Sequence, residues 1–171
     1  MEKSTLRTIN AINEKEKIGI FGDYDVDGAT STALLGNYFS QLGINYEIYI
    51  PDRKKEGYGP SINGFKELID NNVKVIFTVD CGTLSFDAIN YANKKKIDVI
   101  VLDHHQSEIK LPSAYSIINP NRLDDRSNLQ YLCAAGVSFM FLVSLNRALR
   151  LNKWFEKFNV DEPDLINFFL Y

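Results

Sequence analysis

Four short apolar segments of this chain are each followed within two residues by an aspartate, and this repetition limits the possible folds more than any other feature. Short apolar runs bounded by turn residues are typical of buried strands. The segments span residues 17–21, 46–50, 73–79 and 98–102. The aspartates that follow them are Asp23, Asp52, Asp80 and Asp103. The pattern predicts strands that all deliver an acidic side chain at the same end.

Segments with helical spacing of apolar residues separate these strands. They cover residues 29–42, 62–69 and 85–95, and a short N-terminal helix with Ser4 as N-cap precedes them. A further short strand is expected at 115–118. Strands alternating with helices predict an α/β fold, with an open, mainly parallel sheet of about five strands and helices on both faces.

The C-terminal part of the chain has a different character. A polar loop at 121–128 leads into a long apolar stretch at 131–149, which predicts one buried helix followed by further C-terminal helices. We expect one domain over residues 1–150. Residues 151–171 are expected to be the start of a following helical segment, truncated inside a structural element.

Composition excludes several classes of protein. The net charge is −3, from 19 basic and 22 acidic side chains, which does not suggest a protein that wraps a polyanion. No apolar stretch is judged long enough for a membrane span, and the first residues do not form a secretory signal. Cys81 and Cys133 lack the spacing of a zinc site. We therefore expect a cytoplasmic protein with free thiols and no membrane association.

The acidic side chains predict a metal site. Parallel strands point their carboxyl ends to one edge of the sheet, where ligands bind. The two histidines of the chain, His104 and His105, follow Asp103 at that same edge. Crowded carboxylates repel one another unless a cation compensates, and oxygen ligands with imidazole suit Mn²⁺ or Mg²⁺. Two such ions are the arrangement of phosphatases and nucleases, so we expect metal-dependent hydrolysis of a phosphate ester.

The first loop, Asp-Tyr-Asp-Val-Asp-Gly at 23–28, allows other interpretations. An EF-hand is disfavoured because Leu34 stands where its bidentate glutamate belongs. A P-loop is disfavoured because Ala29 stands in place of its lysine. If Gly28 opens a helix, the N–H groups of Ala29, Thr30 and Ser31 could hold a phosphate. Alternatively, Thr30 and Ser31 could simply cap that helix.

Segments 23–31, 80–83 and 103–105 together resemble the DHH family of phosphoesterases. With 51–53, 56–59, 119–120 and 132–137, the chain is most similar within that family to the RecJ group of bacterial single-strand-specific 5′-to-3′ exonucleases. The resemblance implies a two-ion site of Mn²⁺ or Mg²⁺, with Asp80 as the bridging ligand. The implied ligands are Asp25, Asp27, Asp80 and His104.

The same resemblance implies roles for further residues. His105 is expected to contact the scissile phosphate or assist the leaving oxygen, with Asp103 as its supporting acid. Arg53 is expected to contact a phosphate near the 5′ end, unless it is a solvated charge beside Lys54 and Lys55. The role of Asp23 is left open.

The resemblance also implies single-stranded DNA as the partner, and a place in DNA repair and recombination. An alternative substrate class comprises oligoribonucleotides, cyclic dinucleotides or pyrophosphate. The family's fourth metal-site aspartate has no counterpart among the 171 residues. A third hypothesis is therefore a catalytically inactive fragment that needs a separate C-terminal partner.

Overall fold

A five-stranded parallel sheet forms the centre of the computed structural model, which describes residues 1–169 except for the side chain of Phe169. The strand order is β2-β1-β3-β4-β5, and every neighbouring pair is parallel. The strands are β1 Lys17–Phe21, β2 Tyr46–Tyr49, β3 Val73–Val79, β4 Asp98–Leu102 and β5 Ser116–Ile118. The predicted sheet is confirmed.

Helices cover both faces of this sheet. They are α1 Glu2–Asn13, α2 Val26–Gln41, α3 Arg53–Glu56, α4 Ile62–Asp70, α5 Phe86–Lys94, α6 Ala134–Leu151 and α7 Trp154–Phe158. A 3₁₀ helix, Leu165–Phe169, follows. Helices α1, α2, α6 and α7 share one apolar core with the sheet, and α4 and α5 share the other.

Alternation of side chains along the strands divides them between the two cores, because successive Cβ atoms of a strand point to opposite faces. In β3, Val75 and Phe77 join the core beneath α2 and α6, whereas Ile76 joins the core beneath α4 and α5. Both faces are therefore buried. This explains why the strands read as continuous apolar runs.

Two helix starts differ from those predicted. Ser4 is not an N-cap, because α1 begins at Glu2 and the buried Ser4 hydroxyl donates to Ser116 Oγ at 2.7 Å. Helix α2 begins at Val26 rather than Ala29, because Asp25 is its N-cap and accepts a hydrogen bond from the Gly28 N–H. The second correction places Asp27 on the helix itself.

Helix α6 is the long apolar helix predicted over 131–149. By length and composition it could cross a membrane, yet half of it is buried inside the domain. Trp154 and Phe155, beyond the domain boundary predicted at residue 150, belong to the same core as α6. The boundary itself stays a prediction. The predicted terminal element extends to Leu170 and Tyr171, which lie outside the described residues.

Candidate metal centre

Three neighbouring strands deliver the candidate metal ligands. Strands β1, β3 and β4 lie side by side, and their register pairs Phe21 with Thr78 and Val79 with Leu102. Asp80 and Asp103 each follow a paired residue directly. The loops after these three strands therefore meet at the carboxyl edge of the sheet, as the sequence predicts.

Asp80 lies at the centre of the cluster. It is 1% exposed, and its Oδ1 accepts no hydrogen bond from any described residue. Ligand atoms of Asp23, Asp25 and Asp80 all lie within 4.8 Å of one another. A second set with the same spacing consists of Asp80, His104 and His105. Asp80 thus belongs to two groups of three donors, the arrangement that a bridging carboxylate requires.

The backbone of Asp80 is also unusual. Its φ angle is 60°, in the left-handed region that few residues other than glycine occupy. Such conformations are concentrated at functional sites, where the surrounding structure enforces them. Two residues on, Gly82 has φ of 110°, and an added Cβ would lie 2.3 Å from Thr78 Oγ1. This turn therefore depends on both residues to aim the Asp80 carboxylate.

The electrostatics of the cluster favour a cation. Burial, followed by the charges of Asp27 and Asp25, raises the pKa of Asp80 to about 8. Burial also raises the pKa of Asp23, whose Oδ1 is buried without a hydrogen bond from a described residue. Buried carboxylates without donors are costly unless a charge compensates. The donor set of carboxylates and imidazole fits Mn²⁺ or Mg²⁺, because both ions accept oxygen ligands and Mn²⁺ accepts imidazole as well.

Asp25 and Asp27 are held in different ways. Asp25 is exposed, and its carboxylate accepts a hydrogen bond from the Gly28 N–H, which lowers the pKa of Asp25. Both oxygens of Asp27 accept hydrogen bonds from the start of α6, from Ala134 N at 2.7 Å and Ala135 N at 2.8 Å. Asp27 Oδ2 also lies 3.5 Å from His104 Nε2. Each oxygen has further lone pairs, so Asp27 can bind a metal and cap α6 together.

Asp103 is occupied by hydrogen bonds. Its Oδ1 accepts from the backbone N–H groups of His104 and His105 at 2.7 and 3.1 Å and lies 2.8 Å from His105 Nδ1. Its Oδ2 accepts from Thr83 N at 3.0 Å. Burial alone would raise the pKa of Asp103, but hydrogen bonds from His105 and Thr83 hold it at about 2. Asp103 therefore stays ionised and orients His105 rather than donating a proton.

His105 faces solvent at the edge of the cluster. Its side chain is 47% exposed, and the hydrogen bond to Asp103 raises its pKa. The hydroxyl of Tyr58 donates to the Asp80 carbonyl at 2.9 Å and lies 3.1 Å from His105 Nδ1. Sequence reasoning gave Tyr58 no role, although it lies in the segment 56–59 that contributed to the resemblance. The available signal in the sequence was its place in that segment, since its contact with His105 joins positions 47 residues apart.

Of the three residues predicted to contact substrate, two are exposed and one is buried. Arg53 is exposed on α3, with its guanidinium 5.3 Å from the centroid of the Tyr24 ring. Thr30 is exposed, and its hydroxyl donates to the Val26 carbonyl at 2.7 Å. Ser31 is fully buried, and its hydroxyl donates to the Asp27 carbonyl. The structure therefore does not bring Ser31 to a surface that a substrate could reach.

The expectation that the N–H groups of residues 29–31 are free to hold a phosphate is wrong for the first of them. Because α2 begins at Val26, the Ala29 N–H already donates to the Asp25 carbonyl at 2.9 Å. That group is not available to an anion. The capping role belongs to Asp25, not to Thr30 or Ser31.

The fold and the site together define an α/β domain with a candidate divalent-metal centre at the carboxyl edge of a parallel sheet. This chain belongs to the DHH family: residues 17–164 match the model of the DHH family, N-terminal domain. The family expected from segments 23–31, 80–83 and 103–105 is thus confirmed.

Similar proteins are single-stranded-DNA-specific exonucleases named RecJ. The chain is 37% identical to RecJ of Escherichia coli strain K12 over 166 residues, which cover 96% of this chain and 29% of that protein. It is 36% identical to RecJ of Bacillus subtilis strain 168 over 139 residues, covering 81% of this chain and 18% of the relative. The chain thus spans less than a third of the length of these relatives.

A solved structure supports the same similarity. The crystal structure of exonuclease RecJ bound to manganese is similar to this chain with a TM-score of 0.77 and 27% sequence identity. The match covers 94% of this chain and 38% of that one. The predicted similarity to the RecJ group is confirmed.

Proposed function

We propose that this chain is the N-terminal catalytic domain of a single-strand-specific DNA exonuclease that hydrolyses phosphodiester bonds in the 5′-to-3′ direction. The observation that carries the proposal is the position of Asp80. Its buried Oδ1 accepts no hydrogen bond from a described residue and lies 3.3 Å from His104 Nε2, and the residue belongs to two groups of metal-binding side chains. Similarity to RecJ proteins over nearly the whole chain supports the choice of substrate.

The proposal assigns Mn²⁺ or Mg²⁺ to side chains from all three loops. When bound, two such ions stabilise the charge of a phosphate and make water a better nucleophile at neutral pH. Asp80 is the shared ligand, because it lies in both groups. The other proposed ligands are Asp25, Asp27 and His104, and Asp23 is close enough to Asp25 and Asp80 to contribute.

His105 and Asp103 form the proposed acid pair. His105 Nδ1 lies 2.8 Å from Asp103 Oδ1, and the hydrogen bond that it donates to this oxygen orients the ring and stabilises its protonated form. A protonated His105 at the solvent edge can donate a hydrogen bond to the scissile phosphate, or a proton to the leaving oxygen. Asp103 stays ionised throughout, because four hydrogen-bond donors surround its two oxygens.

The proposed path of the DNA passes α3. Arg53, Lys54 and Lys55 are exposed there, and Arg53 lies against Tyr24 of the first aspartate loop. Glu56 fixes this segment, because its carboxylate accepts hydrogen bonds from Tyr49 Oη at 2.7 Å and Ser61 Oγ at 3.0 Å. A guanidinium held in this way suits a terminal phosphate, which it can bind with two hydrogen bonds.

The first experiment measures hydrolysis. The chain is incubated with Mn²⁺ and 5′-labelled single-stranded oligonucleotides, beside Asp80→Asn and the control Asp70→Asn, an exposed carboxylate at the end of α4. We expect release of mononucleotides by the wild type and the control, and none by Asp80→Asn. Activity that survives Asp80→Asn would contradict the proposal. Preferential turnover of oligoribonucleotides, cyclic dinucleotides or pyrophosphate would favour the alternative substrate class.

A second experiment tests dependence on a partner. The matched relatives are more than three times longer than this chain, so the assay is repeated with the C-terminal remainder of Escherichia coli RecJ added as a separate polypeptide. A gain in activity or a stable complex supports a need for that region. Absence of both a gain in activity and a complex would count against that need.

The proposal includes a cytoplasmic location, supported by the free cysteines Cys81 and Cys133.

A further inference from the structure

Asn119 follows β5 directly and is almost entirely buried, at 2% exposure. Its side-chain Nδ2 donates to Thr83 Oγ1 and to the His105 carbonyl, both at 2.8 Å. Its Oδ1 accepts from the Asn121 N–H at 2.8 Å. One amide therefore connects the loops that follow β3, β4 and β5.

Together with the bonds of Asp103, these hydrogen bonds form a closed ring that includes the backbone of His105. Asp103 accepts from the N–H groups of Thr83 and His105, and Asn119 donates to Thr83 Oγ1 and to the His105 carbonyl. The His105 residue is thus held at its N–H from one side and at its carbonyl from the other.

His104 is held in the same manner. Its N–H donates to Asp103 Oδ1 at 2.7 Å, and its carbonyl accepts a hydrogen bond from Asn121 Nδ2. Asn121 is in turn fixed by Asn119 through its backbone N–H. Both imidazole rings therefore project from peptide groups that are hydrogen-bonded on each side.

The chemistry of this position requires an amide. Two acceptors, Thr83 Oγ1 and the His105 carbonyl, face Nδ2, which supplies one hydrogen to each. A carboxylate would place an oxygen against the carbonyl oxygen. An alanine would leave the His105 carbonyl and the buried Thr83 hydroxyl without this donor, and functional side chains tolerate only about 0.5 Å of displacement.

We infer that Asn119 is a positioning residue that sets the orientation of the His104–His105 turn in the metal centre. It acts through the backbone of the two histidines and touches neither metal nor substrate. The inference rests on the proposed function only for its effect on metal binding, because the orientation of the rings can be measured without metal.

A matched control separates positioning from stability. Asn146 on α6 is also buried, at 3% exposure, and its amide accepts from Tyr38 Oη at 2.9 Å and donates to Glu162 Oε1 at 2.7 Å. Asn119→Ala and Asn146→Ala each remove one buried amide with its hydrogen bonds. Thr83→Val is a milder test, because it keeps Asn119 and removes the Thr83 hydroxyl, which accepts from Asn119 Nδ2 and also hydrogen-bonds Asp103.

The decisive measurement is NMR of the imidazole nitrogens in metal-free protein. The chain has two histidines, so every imidazole signal reports on the centre. We expect altered ring signals in Asn119→Ala and in Thr83→Val, and wild-type signals in Asn146→Ala. Calorimetric titration with Mn²⁺ should then show affinity reduced about 10–100-fold in Asn119→Ala and unchanged in Asn146→Ala.

The possible results lead to different conclusions. Ring signals unchanged in Asn119→Ala, or changed equally in Asn146→Ala, overturn the inference. If Asn119→Ala does not fold, the same criteria apply to Thr83→Val. If the wild type binds no Mn²⁺, the proposed function fails, whereas the ring signals still decide the role of Asn119.

Discussion

The carboxylate of Asp27 accepts a 2.7 Å hydrogen bond from the backbone N–H of Ala134, although 107 residues separate the two in the chain. The second Asp27 oxygen accepts from Ala135. The residue at the N-cap of α6, Cys133, makes no side-chain capping bond. A side chain of the candidate metal centre thus caps the longest helix of the domain.

Asp27→Asn should therefore destabilise the metal-free chain. An asparagine can accept one of the two hydrogen bonds, but its NH₂ group then faces the other N–H. We expect a loss of about 1–2 kcal/mol in the free energy of unfolding, the usual cost of losing a helix cap or leaving a buried donor unpaired. Urea denaturation in EDTA measures it.

Asp25→Asn is the matched comparison. Asp25 caps α2 locally through the Gly28 N–H, and asparagine is as good an N-cap as aspartate. We expect a change below about 0.5 kcal/mol. Equal losses in the two variants would show that the Asp27 bonds to α6 contribute no stability of their own.

Asp80 should destabilise the metal-free fold at neutral pH. Its pKa is about 8 in the folded chain and 3.8 as the ordinary value, so folding takes up a proton between these pH values. The unfolded chain is ionised there, and stability falls by up to about 1.4 kcal/mol for each pH unit as the pH rises. Asp80→Asn should remove this slope, so that the variant exceeds the wild type in stability at pH 7 in EDTA.

Mn²⁺ should reverse that order. A metal that binds the folded state at 100 times its dissociation constant adds about 2.7 kcal/mol to stability. We expect Mn²⁺ to raise the thermal midpoint of the wild type and to leave that of Asp80→Asn nearly unchanged. Equal Mn²⁺ shifts in both proteins would argue against Asp80 as a ligand.

Two glycines of α2 should respond oppositely to alanine. A Cβ on Gly28 would lie 2.6 Å from Asp23 Cβ and 2.7 Å from its carbonyl oxygen, so Gly28→Ala must displace the first aspartate loop. A Cβ on Gly36 would meet neighbours at 3.4 Å or more. We expect Gly28→Ala to lose about 1–3 kcal/mol and Mn²⁺ affinity, and Gly36→Ala to gain up to about 1 kcal/mol. Paired urea and Mn²⁺ titrations check both.

Arg53 should contribute to DNA affinity through phosphate. Arg53→Ala is expected to weaken binding of 5′-phosphorylated single strands and to reduce the slope of log affinity against log salt by about 0.7. Lys94→Ala, which removes a charge from the last turn of α5, should change neither quantity. Fluorescence anisotropy at several salt concentrations provides the test. An unchanged slope in Arg53→Ala would show that Arg53 makes no phosphate contact with the DNA.

Sequence reasoning located the strands well because each one carries two strong local signals. An aspartate follows the short apolar run within two residues in β1, β3 and β4, and the predicted bounds of these three strands match those observed. The placement of the three loops at one edge followed from the general behaviour of parallel sheets. That these loops are direct neighbours depends on the strand order, which the sequence does not provide.

Hydrogen bonds between distant segments could not be predicted in this way. The bonds of Asp27 to α6 and of Asn119 to the histidine turn join loops that share no local pattern. The start of α2 was missed for a different reason, because Asp25 is both an N-cap and a member of the acidic motif. Interpreting it as a ligand alone hid the helix start.

The position of Asp80 depends on the register of β3 in the sheet. Val79 pairs with Leu102, and Asp80 follows Val79 directly. A slip of one residue in β3 would turn its side chains to the opposite faces and bring Val79 or Cys81 to the place of Asp80. Such a chain could keep most of its backbone hydrogen bonds and still lose the metal. Metal affinity is therefore a sensitive assay of strand alignment in preparations of this domain, including those that look correctly folded by secondary-structure content.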